Sequence, residues 1–347
     1  MLFNNKTNFT KIVFVSICLS LVLLCLSGCN KKIAPHTSTT LAMGTVISQS
    51  IYDSDAQKIA KEIDTEIKNL ENINLSWRIK DSDINRINAN SGNFTKVDDR
   101  TIDWIKTSID VSKNCNGVFD LTVGPLIQLW NIGSDDAKVP TSDELSSALK
   151  TIDYKNVIIS GNEVKCGKGQ NLDLGAIGKG VACDQIANIL DNKNVKGATI
   201  SVGGSILLYG KNPNAANWAL GIRNPIGKAD DYVAILKLDE CFVSTSGDYE
   251  RVFEKDGISY HHILDPRTGY PAKSELLSVT VICNSGLLSD ALSTACFILG
   301  YENSISLLEK YDAQGVFIDK DLNVYVTKGI QNRISITEPN FKLVKGN

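Results

Sequence analysis

The order of helical and strand-like segments restricts the possible folds of this chain more than any other feature of its sequence. Apolar residues that recur every three or four positions predict helices over residues 54–73, 98–115, 179–191, 289–299 and 303–310. Short apolar runs predict strands at 198–202, 206–209, 218–222, 233–238, 242–244 and 278–283, and a hairpin of 316–318 with 324–326. Because helices and strands do not alternate regularly, the sequence predicts an α+β fold, a single compact body of mixed sheets flanked by helices, rather than a doubly wound parallel sheet.

Composition excludes several classes of protein. Hydrophobic residues make up 43% and charged residues 22% of the 347 residues, which is typical of a globular chain. The sequence has 36 Lys and Arg against 39 Asp and Glu and no block of basic residues, so no nucleic acid is expected as a partner. Its three histidines, His36, His261 and His262, argue against a zinc site built from several histidines.

The longest uncharged apolar run lies near the start of the chain. Residues 1–11 carry Lys6 and Lys11 but no acidic residue, and Ile12–Leu26 follows as an apolar run of 15 residues. A helix needs about 20 residues to span a bilayer. A basic start, a short apolar run and small residues behind it are typical of a signal peptide. We predict one over residues 1–28, with an uncleaved anchor helix as the alternative.

The end of this segment, Leu26-Ser27-Gly28-Cys29, resembles the bacterial lipobox. The resemblance implies that Cys29 carries lipid and becomes the N-terminus of an exported protein, which is anchored to the outer face of the bacterial cytoplasmic membrane. Residues 29–40 are polar and contain a proline, and we predict that they form a tether. The main domain is predicted over residues 41–340.

Six further cysteines lie in the main domain: Cys115, Cys166, Cys183, Cys241, Cys283 and Cys296. None of them forms a C-x-x-C pair, the usual spacing of a metal or redox motif. Several lie in apolar runs, where cysteine behaves as a small buried hydrophobic residue. We expect mostly free, buried thiols, while disulfide pairing stays the alternative for an exported protein.

Glycine and polar residues concentrate in five short segments, at 117–126, 173–180, 202–205, 246–271 and 290–294. The segment Gly175–Gly180 (GAIGKG) precedes a predicted helix, so its N–H groups and Lys179 could bind a phosphate. It lacks the spacing of a Walker A loop, and an ordinary strand-to-helix turn is the alternative.

Two other segments carry candidate catalytic residues. Asp290 and Thr294 are four residues apart and therefore share one face of a helix, where their oxygens would suit Mg²⁺. The alternative is an acidic residue near a helix start with a solvated threonine. His261 and His262 precede a turn-rich stretch and could be catalytic or structural.

Six motifs, in order along the chain, resemble the ApbE family. They are Met43-Gly44-Thr45, residues 117–126 (GVFDLTVGPL), 172–180 (LDLGAIGKG), 246–249 (SGDY), 262–269 (HILDPRTG) and 290–294 (DALST). The resemblance covers about residues 42–300. It implies an FAD:protein FMN transferase, an enzyme that cleaves the pyrophosphate of its substrate FAD with Mg²⁺, joins FMN to a threonine hydroxyl of an acceptor and releases AMP. The implied acceptors are exported or membrane redox-complex subunits with a threonine-containing loop.

The resemblance also implies roles for individual residues. The implied Mg²⁺ ligands are Asp290, Ser293, Thr294 and the backbone carbonyl of Ala176. The implied FAD contacts are Met43, Trp77, Val118, Phe119, Asp120, Asp173, Lys179, Ile263 and Leu264. The implied catalytic residues are Lys179, His262 and Asp290, with His262 either as a base or as a phosphate ligand.

The sequence departs from the family pattern at three positions. Trp77 replaces a tyrosine that stacks on the flavin nucleotide, Ala176 replaces a glycine, and Ser205 stands where an acidic residue is common. Trp77 keeps an aromatic face for stacking. Two other functions stay open, a lipid-anchored flavin-binding protein without turnover and an FAD pyrophosphatase that yields FMN and AMP.

Overall fold

One large sheet organises the fold. A computed structural model describes residues 32–228 and 230–345. Its strands are β1 (His36–Ala42), β2 (Thr45–Ile51), β3 (Thr95–Lys96), β4 (Ile158–Ser160), β5 (Glu163–Lys165), β6 (Gly197–Val202), β7 (Ser205–Gly210), β8 (Trp218–Arg223), β9 (Tyr232–Leu238), β10 (Cys241–Gly247), β11 (Val252–Lys255), β12 (Ile258–His261), β13 (Leu276–Cys283), β14 (Gln314–Asp319), β15 (Asn323–Val326), β16 (Ile334–Ile336) and β17 (Lys342–Lys345). Its α-helices are α1 (Ala56–Asn69), α2 (Asp83–Ala89), α3 (Asp99–Asn114), α4 (Gly124–Trp130), α5 (Ser142–Leu149), α6 (Gly178–Asn192), α7 (Gly286–Leu299) and α8 (Tyr301–Lys310).

The large sheet has nine strands in the order β1-β2-β6-β7-β10-β13-β14-β15-β17. Neighbouring strands are antiparallel except β15 and β17, which are parallel. Three smaller sheets accompany it, β11-β12, β16-β9-β8 and β3-β5-β4. Edge strands β1 and β17 therefore leave one side of their backbone unpaired within this sheet.

Alternating side chains of the large sheet enter two different cores. Leu207, Val281 and Phe317 pack with the helices in the main core. Their neighbours Leu208 and Ile282 face the opposite side and pack against the sheet β16-β9-β8. This alternation follows from the two-residue period of a strand. The large sheet is thus covered by helices on one face and by a small sheet on the other.

Helix α7 lies in the middle of the main core. Eleven of its fourteen residues are buried, and Ser285 caps its start by accepting a hydrogen bond from the Leu288 N–H. The Asp184 carboxylate of α6 accepts two more, from the backbone N–H groups of Gly286 (2.6 Å) and Leu287 (2.9 Å). Carboxylate oxygens stabilise the free N–H groups at a helix start. The end of α7 that precedes Asp290 is therefore fixed on α6.

The α+β prediction is confirmed, and the predicted helices and strands occur within a few residues of their expected bounds. The hairpin of β14 and β15 has the predicted pairing, with Val316 opposite Val326. The helix expected over 54–73 ends at Asn69 and continues as a π-helical turn, Leu70–Leu75.

The hairpin of β1 and β2 is absent from the sequence-based prediction, which places its first strand at residue 198. Residues 36–40 lie in β1, so the chain that was expected to be a tether joins the sheet at His36. The predicted signal peptide and Cys29 fall outside the described residues. Within the described residues, no helix is both long and apolar enough to cross a membrane. From Pro35 onward the described residues belong to one compact unit.

The six cysteines of the main domain are free thiols in this structure, and five of them are buried. Burial raises the pKa of Cys241 to about 12 and that of Cys296 to about 12. The thiols therefore stay protonated at neutral pH and contribute to packing. This agrees with the expectation of buried, unpaired cysteines.

Candidate active site

Asp290, on α7, is a buried carboxylate held from two sides. Its Oδ2 accepts the Gly180 N–H at 2.6 Å and its Oδ1 accepts the Ser205 hydroxyl at 2.5 Å. Only 4% of Asp290 is exposed. These contacts join the starts of α6, α7 and β7 at one carboxylate.

Two glycines make this junction possible. A methyl group on Gly180 would collide with the backbone carbonyl of Gly286, and one on Gly286 would collide with that of Gly180. The backbones of α6 and α7 therefore touch at this point. The contact brings the Gly180 N–H within reach of Asp290.

A row of hydroxyl groups fastens α7 to strand β10. The hydroxyl groups of Ser244 and Ser289 lie 2.7 Å apart, and those of Ser246 and Ser293 lie 2.8 Å apart. Ser293 also donates to the backbone carbonyl of Asp290 at 2.9 Å. Its hydroxyl, predicted as a metal ligand, is therefore already engaged twice, although one lone pair remains free.

Lys179 follows the glycine-rich turn as the second residue of α6. Its ammonium group makes no hydrogen bond or ion pair with any described residue. A methyl group placed on Gly204 would lie 3.6 Å from Lys179 Nζ and 3.5 Å from Glu250 Oε1, so both charged groups face this glycine. Gly204 thus keeps space open beside both charged groups, and Lys179 makes no ion pair within the described chain.

Asp173 and Trp77, two predicted FAD contacts, are joined by a hydrogen bond. The Asp173 carboxylate accepts the Trp77 indole N–H at 2.7 Å and the Gly175 N–H at 2.6 Å. Burial raises the pKa of Asp173, and these hydrogen bonds oppose that rise. The Arg78 guanidinium lies over the Trp77 ring at 4.1 Å, so one indole face is already covered.

Met43 and Gly44 form the two-residue turn between β1 and β2, and both have positive φ, 53° and 67°. Positive φ at both positions is the geometry of a type I′ turn. The Glu71 carboxylate accepts the Met43 N–H at 2.9 Å. The methyl end of Met43 reaches Gly178, since a methyl group there would lie 3.4 Å away. The turn therefore lies beside the start of α6.

Five other predicted FAD contacts have buried side chains: Val118, Phe119, Asp120, Ile263 and Leu264. Asp120 accepts hydrogen bonds from Thr122 and from the Tyr154 N–H, so its carboxylate joins its own loop to the segment that begins at Tyr154. Burial raises the pKa of Asp120. Leu264 packs in a separate cluster with Leu126 and Trp130. Contacts of these residues with a ligand would therefore use mainly the backbone.

His262 is a neutral imidazole among cations. Its Nδ1 is buried and has no hydrogen-bond partner in the described chain. Burial, followed by the nearby charges of Arg251 and Lys179, lowers the pKa of His262 to about 4. His261 differs, because its Nε2 lies 3.0 Å from the Ala272 carbonyl oxygen and its Nδ1 accepts the Ile263 N–H. His261 is structural, whereas His262 keeps a free ring nitrogen.

Asp290, Thr294 and Ala176 carry oxygen atoms of the kind that a hard divalent cation binds. Asp290 has no ion-pair partner among the described residues, although a buried carboxylate is costly without a compensating charge. Thr294 is half-buried and its hydroxyl has no described partner. Ala176 is exposed, and its carbonyl accepts no hydrogen bond from a described residue. One carboxylate, one hydroxyl and one carbonyl with free lone pairs could serve as donors to Mg²⁺. The described chain contains no group of three or more His, Cys, Asp or Glu side chains that could hold a metal ion.

Sequence reasoning missed three contributors, Glu71, Glu250 and Arg251. It also assigned no role to Ser205, the partner of Asp290. These residues come from separate parts of the chain, and no periodic pattern connects them. The only available signal was that Ser205 and Glu250 belong to glycine-containing segments, at 202–205 and 246–271.

Comparison with known proteins agrees with this architecture. Residues 43–318 match the sequence profile of the ApbE family. An FAD:protein FMN transferase of Treponema pallidum is 33% identical over 339 residues, covering 91% of this chain and 93% of that protein. One of Haemophilus influenzae is 29% identical over 331 residues, covering 91% and 95%.

Solved structures agree as well. The ApbE protein from Thermotoga maritima matches with a TM-score of 0.76 and 31% identity, covering 88% of this chain and 97% of that one. The flavin transferase ApbE from Vibrio cholerae matches with a TM-score of 0.77 and 27% identity, covering 86% and 98%. The matched profile, these relatives and the shared fold lead to one conclusion: the chain belongs to the ApbE family.

Proposed function

We propose that this chain is an FAD:protein FMN transferase, which uses Mg²⁺ to transfer FMN from FAD to a threonine hydroxyl of an acceptor protein and releases AMP. One observation carries the proposal. A buried carboxylate without an ion pair, Asp290, is joined by a single hydrogen bond to the start of α6, which also bears the unpaired cation of Lys179. This arrangement offers complementary charges to a pyrophosphate and its metal ion.

Asp290, Thr294 and the Ala176 carbonyl would hold Mg²⁺, with Ser293 as a further predicted ligand. In phosphoryl transfer the ion neutralises charge on the phosphate oxygens. Lys179 supplies a mobile positive charge on the same substrate group, and the N–H groups at the start of α6 favour an anion.

His262 is suited to move the proton. At pH 7 it is neutral, and its buried Nδ1 can accept a hydrogen bond and then a proton. The threonine oxygen forms its bond to phosphorus, its proton passes to His262, and the bond between phosphorus and the bridging oxygen breaks to release AMP. A bound pyrophosphate would raise the pKa of His262, because negative charge favours the imidazolium form.

The reaction can be tested directly. Purified protein is incubated with FAD, MgCl₂ and a candidate exported acceptor, and mass spectrometry looks for FMN on threonine while chromatography measures AMP. We expect both products in equal amounts and neither with Asp290→Ala. FAD binding without AMP would indicate a flavin-binding protein, and AMP without an acceptor would indicate a pyrophosphatase. Either result would contradict the transferase proposal.

We also propose that the protein is exported and lipid-anchored to the outer face of the cytoplasmic membrane, with exported or membrane redox-complex subunits as acceptors. The lipobox-like sequence that ends at Cys29 supports this location. Cys29→Ser should abolish incorporation of a labelled fatty acid, because the thiol is the acylated group. Continued labelling of that variant would refute the assignment.

A further inference from the structure

We infer that the free edge of β1 docks the acceptor as an added β-strand, an extended and uncharged segment that leads its threonine to the active site. This inference rests on the proposed transferase function, which requires a polypeptide hydroxyl to reach Lys179 and His262. It concerns how that polypeptide is held.

The edge of β1 has backbone groups available for such pairing. Because Met43 and Gly44 form a two-residue turn, the flanking pair Ala42 and Thr45 is hydrogen-bonded. Bonded and non-bonded pairs alternate in an antiparallel ladder, so Leu41, Thr39 and Thr37 direct their N–H and C=O groups outward. No backbone group of another described strand or loop bonds to them.

The two edges of the large sheet differ in charge. Natural sheets protect their edges with lysines, prolines or other charges that prevent pairing with another chain. Edge strand β17 follows this rule, since it begins with Lys342. Residues 36–51, which contain β1 and β2, carry no Asp, Glu, Lys or Arg. Within the described chain, the edge that leads to the active site therefore lacks this protection by charge.

The exposed face of the hairpin adds an apolar contact. Leu41 and Val46 lie opposite each other, and they are 74% and 51% exposed. A strand added beside β1 would place one of its side chains directly opposite Leu41. An apolar acceptor residue at that position would cover the pair.

Position connects this edge to the chemistry. Leu41 precedes Met43 by two residues, about 7 Å along a strand. The Met43 side chain reaches Gly178, the residue before Lys179, and Gly44 lies near the Arg251 guanidinium. Four or five acceptor residues paired with β1 would thus run toward the turn that borders the site.

Kinetics of the variants provide the first test. Thr39→Pro removes an outward N–H without affecting the pairing with β2, and Leu41→Glu places a charge on the edge. We expect each change to raise KM for the acceptor about tenfold, the equivalent of about 1.4 kcal/mol, with kcat and the FAD dissociation constant within twofold of wild type. Ile158→Glu, at another exposed apolar residue on a separate small sheet, is the matched control and should change none of these values. Unchanged KM in both edge variants would overturn the inference.

Binding is measured apart from turnover, so that failure of the transferase proposal would not decide this test. The probe is a synthetic uncharged peptide of fifteen residues with one central threonine. In NMR titrations we expect the amide signals of Leu41 and Thr39 to shift and that of Thr40 to move less. No shift at millimolar peptide would refute docking, as would dimerisation through β1 in sedimentation. Binding of lipid vesicles that is lost in Leu41→Glu would instead assign this surface to the membrane.

Discussion

Replacing Ser205 by alanine tests whether the Asp290 carboxylate depends on its hydrogen-bond donors. Ser205 and Ser244 are opposite each other on neighbouring strands β7 and β10, and both hydroxyl groups reach α7. Ser205 bonds the charged Asp290 at 2.5 Å, whereas Ser244 bonds the neutral Ser289 at 2.7 Å. The two variants Ser205→Ala and Ser244→Ala therefore differ mainly in the charge of the group that loses its partner.

The expected magnitudes follow from that difference. A hydrogen bond to a charged group contributes about 1.5–3 kcal/mol, and a neutral one about 0.5–1.5 kcal/mol. After Ser244→Ala, Ser289 still donates to the Gly286 carbonyl at 2.8 Å, so the loss should be near the lower limit. After Ser205→Ala, the Oδ1 atom of buried Asp290 has no remaining partner in the described chain. We expect Ser205→Ala to lower the free energy of unfolding by at least about 1 kcal/mol more than Ser244→Ala does.

Urea unfolding at pH 7 with EDTA measures the loss of stability in both variants. If the free energy of unfolding falls with urea concentration at the same slope in both, their unfolded states are comparable. Repeating the titrations with MgCl₂ shows whether bound metal increases stability, as mass action requires for a ligand of the folded state. Equal losses in the two variants, or a larger loss for Ser244→Ala, would refute the view that Asp290 is a charged group that depends on Ser205.

Three further predictions concern other contacts of the site. Gly286→Ala should cost about 1–3 kcal/mol of folding stability because the new methyl group strikes the Gly180 carbonyl, and urea unfolding without any loss would disprove that contact. The pKa of His262 is lowered to about 4 in the folded protein, from about 6.5 in the unfolded chain, so the unfolded state binds the proton first as the pH falls. The free energy of unfolding should therefore be at its full value above pH 6.5 and fall by about 3 kcal/mol toward pH 4. His262→Gln should reduce this slope in unfolding measured at several pH values, and an unchanged slope would assign it to other groups. Trp77→Phe keeps an aromatic ring but removes the hydrogen-bond donor to Asp173, so FAD binding measured by fluorescence titration should weaken. An affinity equal to that of the wild type would show that this hydrogen bond does not position the ring.

The parts of the fold that could be predicted have strong local patterns. Strand β13, Leu276–Cys283, is a nearly continuous apolar run, and α7 carries its polar residues at helical spacing. Nearly all residues of both elements are buried, and local sequence pattern is enough to recognise such elements. The candidate metal ligands Asp290 and Thr294 could be placed on one helix face for the same reason.

Other parts depend on contacts between distant residues. The β1–β2 hairpin is rich in serine and threonine, and its turn, Met43-Gly44, lacks the usual Asn-Gly or Asp-Gly signal. Ser205 and Asp290 are 85 positions apart, so no sequence pattern could pair them. The unpartnered nitrogen of His262 likewise arises only when the chain from 251 to 262 folds back beside α6. Local pattern thus determined most elements, while tertiary packing determined how the site is assembled.

The burial of α7 has a consequence for the motion of the active site. Loops that carry catalytic residues can open while the rest of a protein stays folded, but a helix enclosed by α6, β10 and β13 has no such independent opening. Amide hydrogens at Asp290 and its neighbours on α7 should therefore exchange with solvent as slowly as the most protected amides of β13. Any movement of the site on substrate binding should then come from the outer segments, such as the Met43–Gly44 turn or residues 248–262, around a helix that remains rigid.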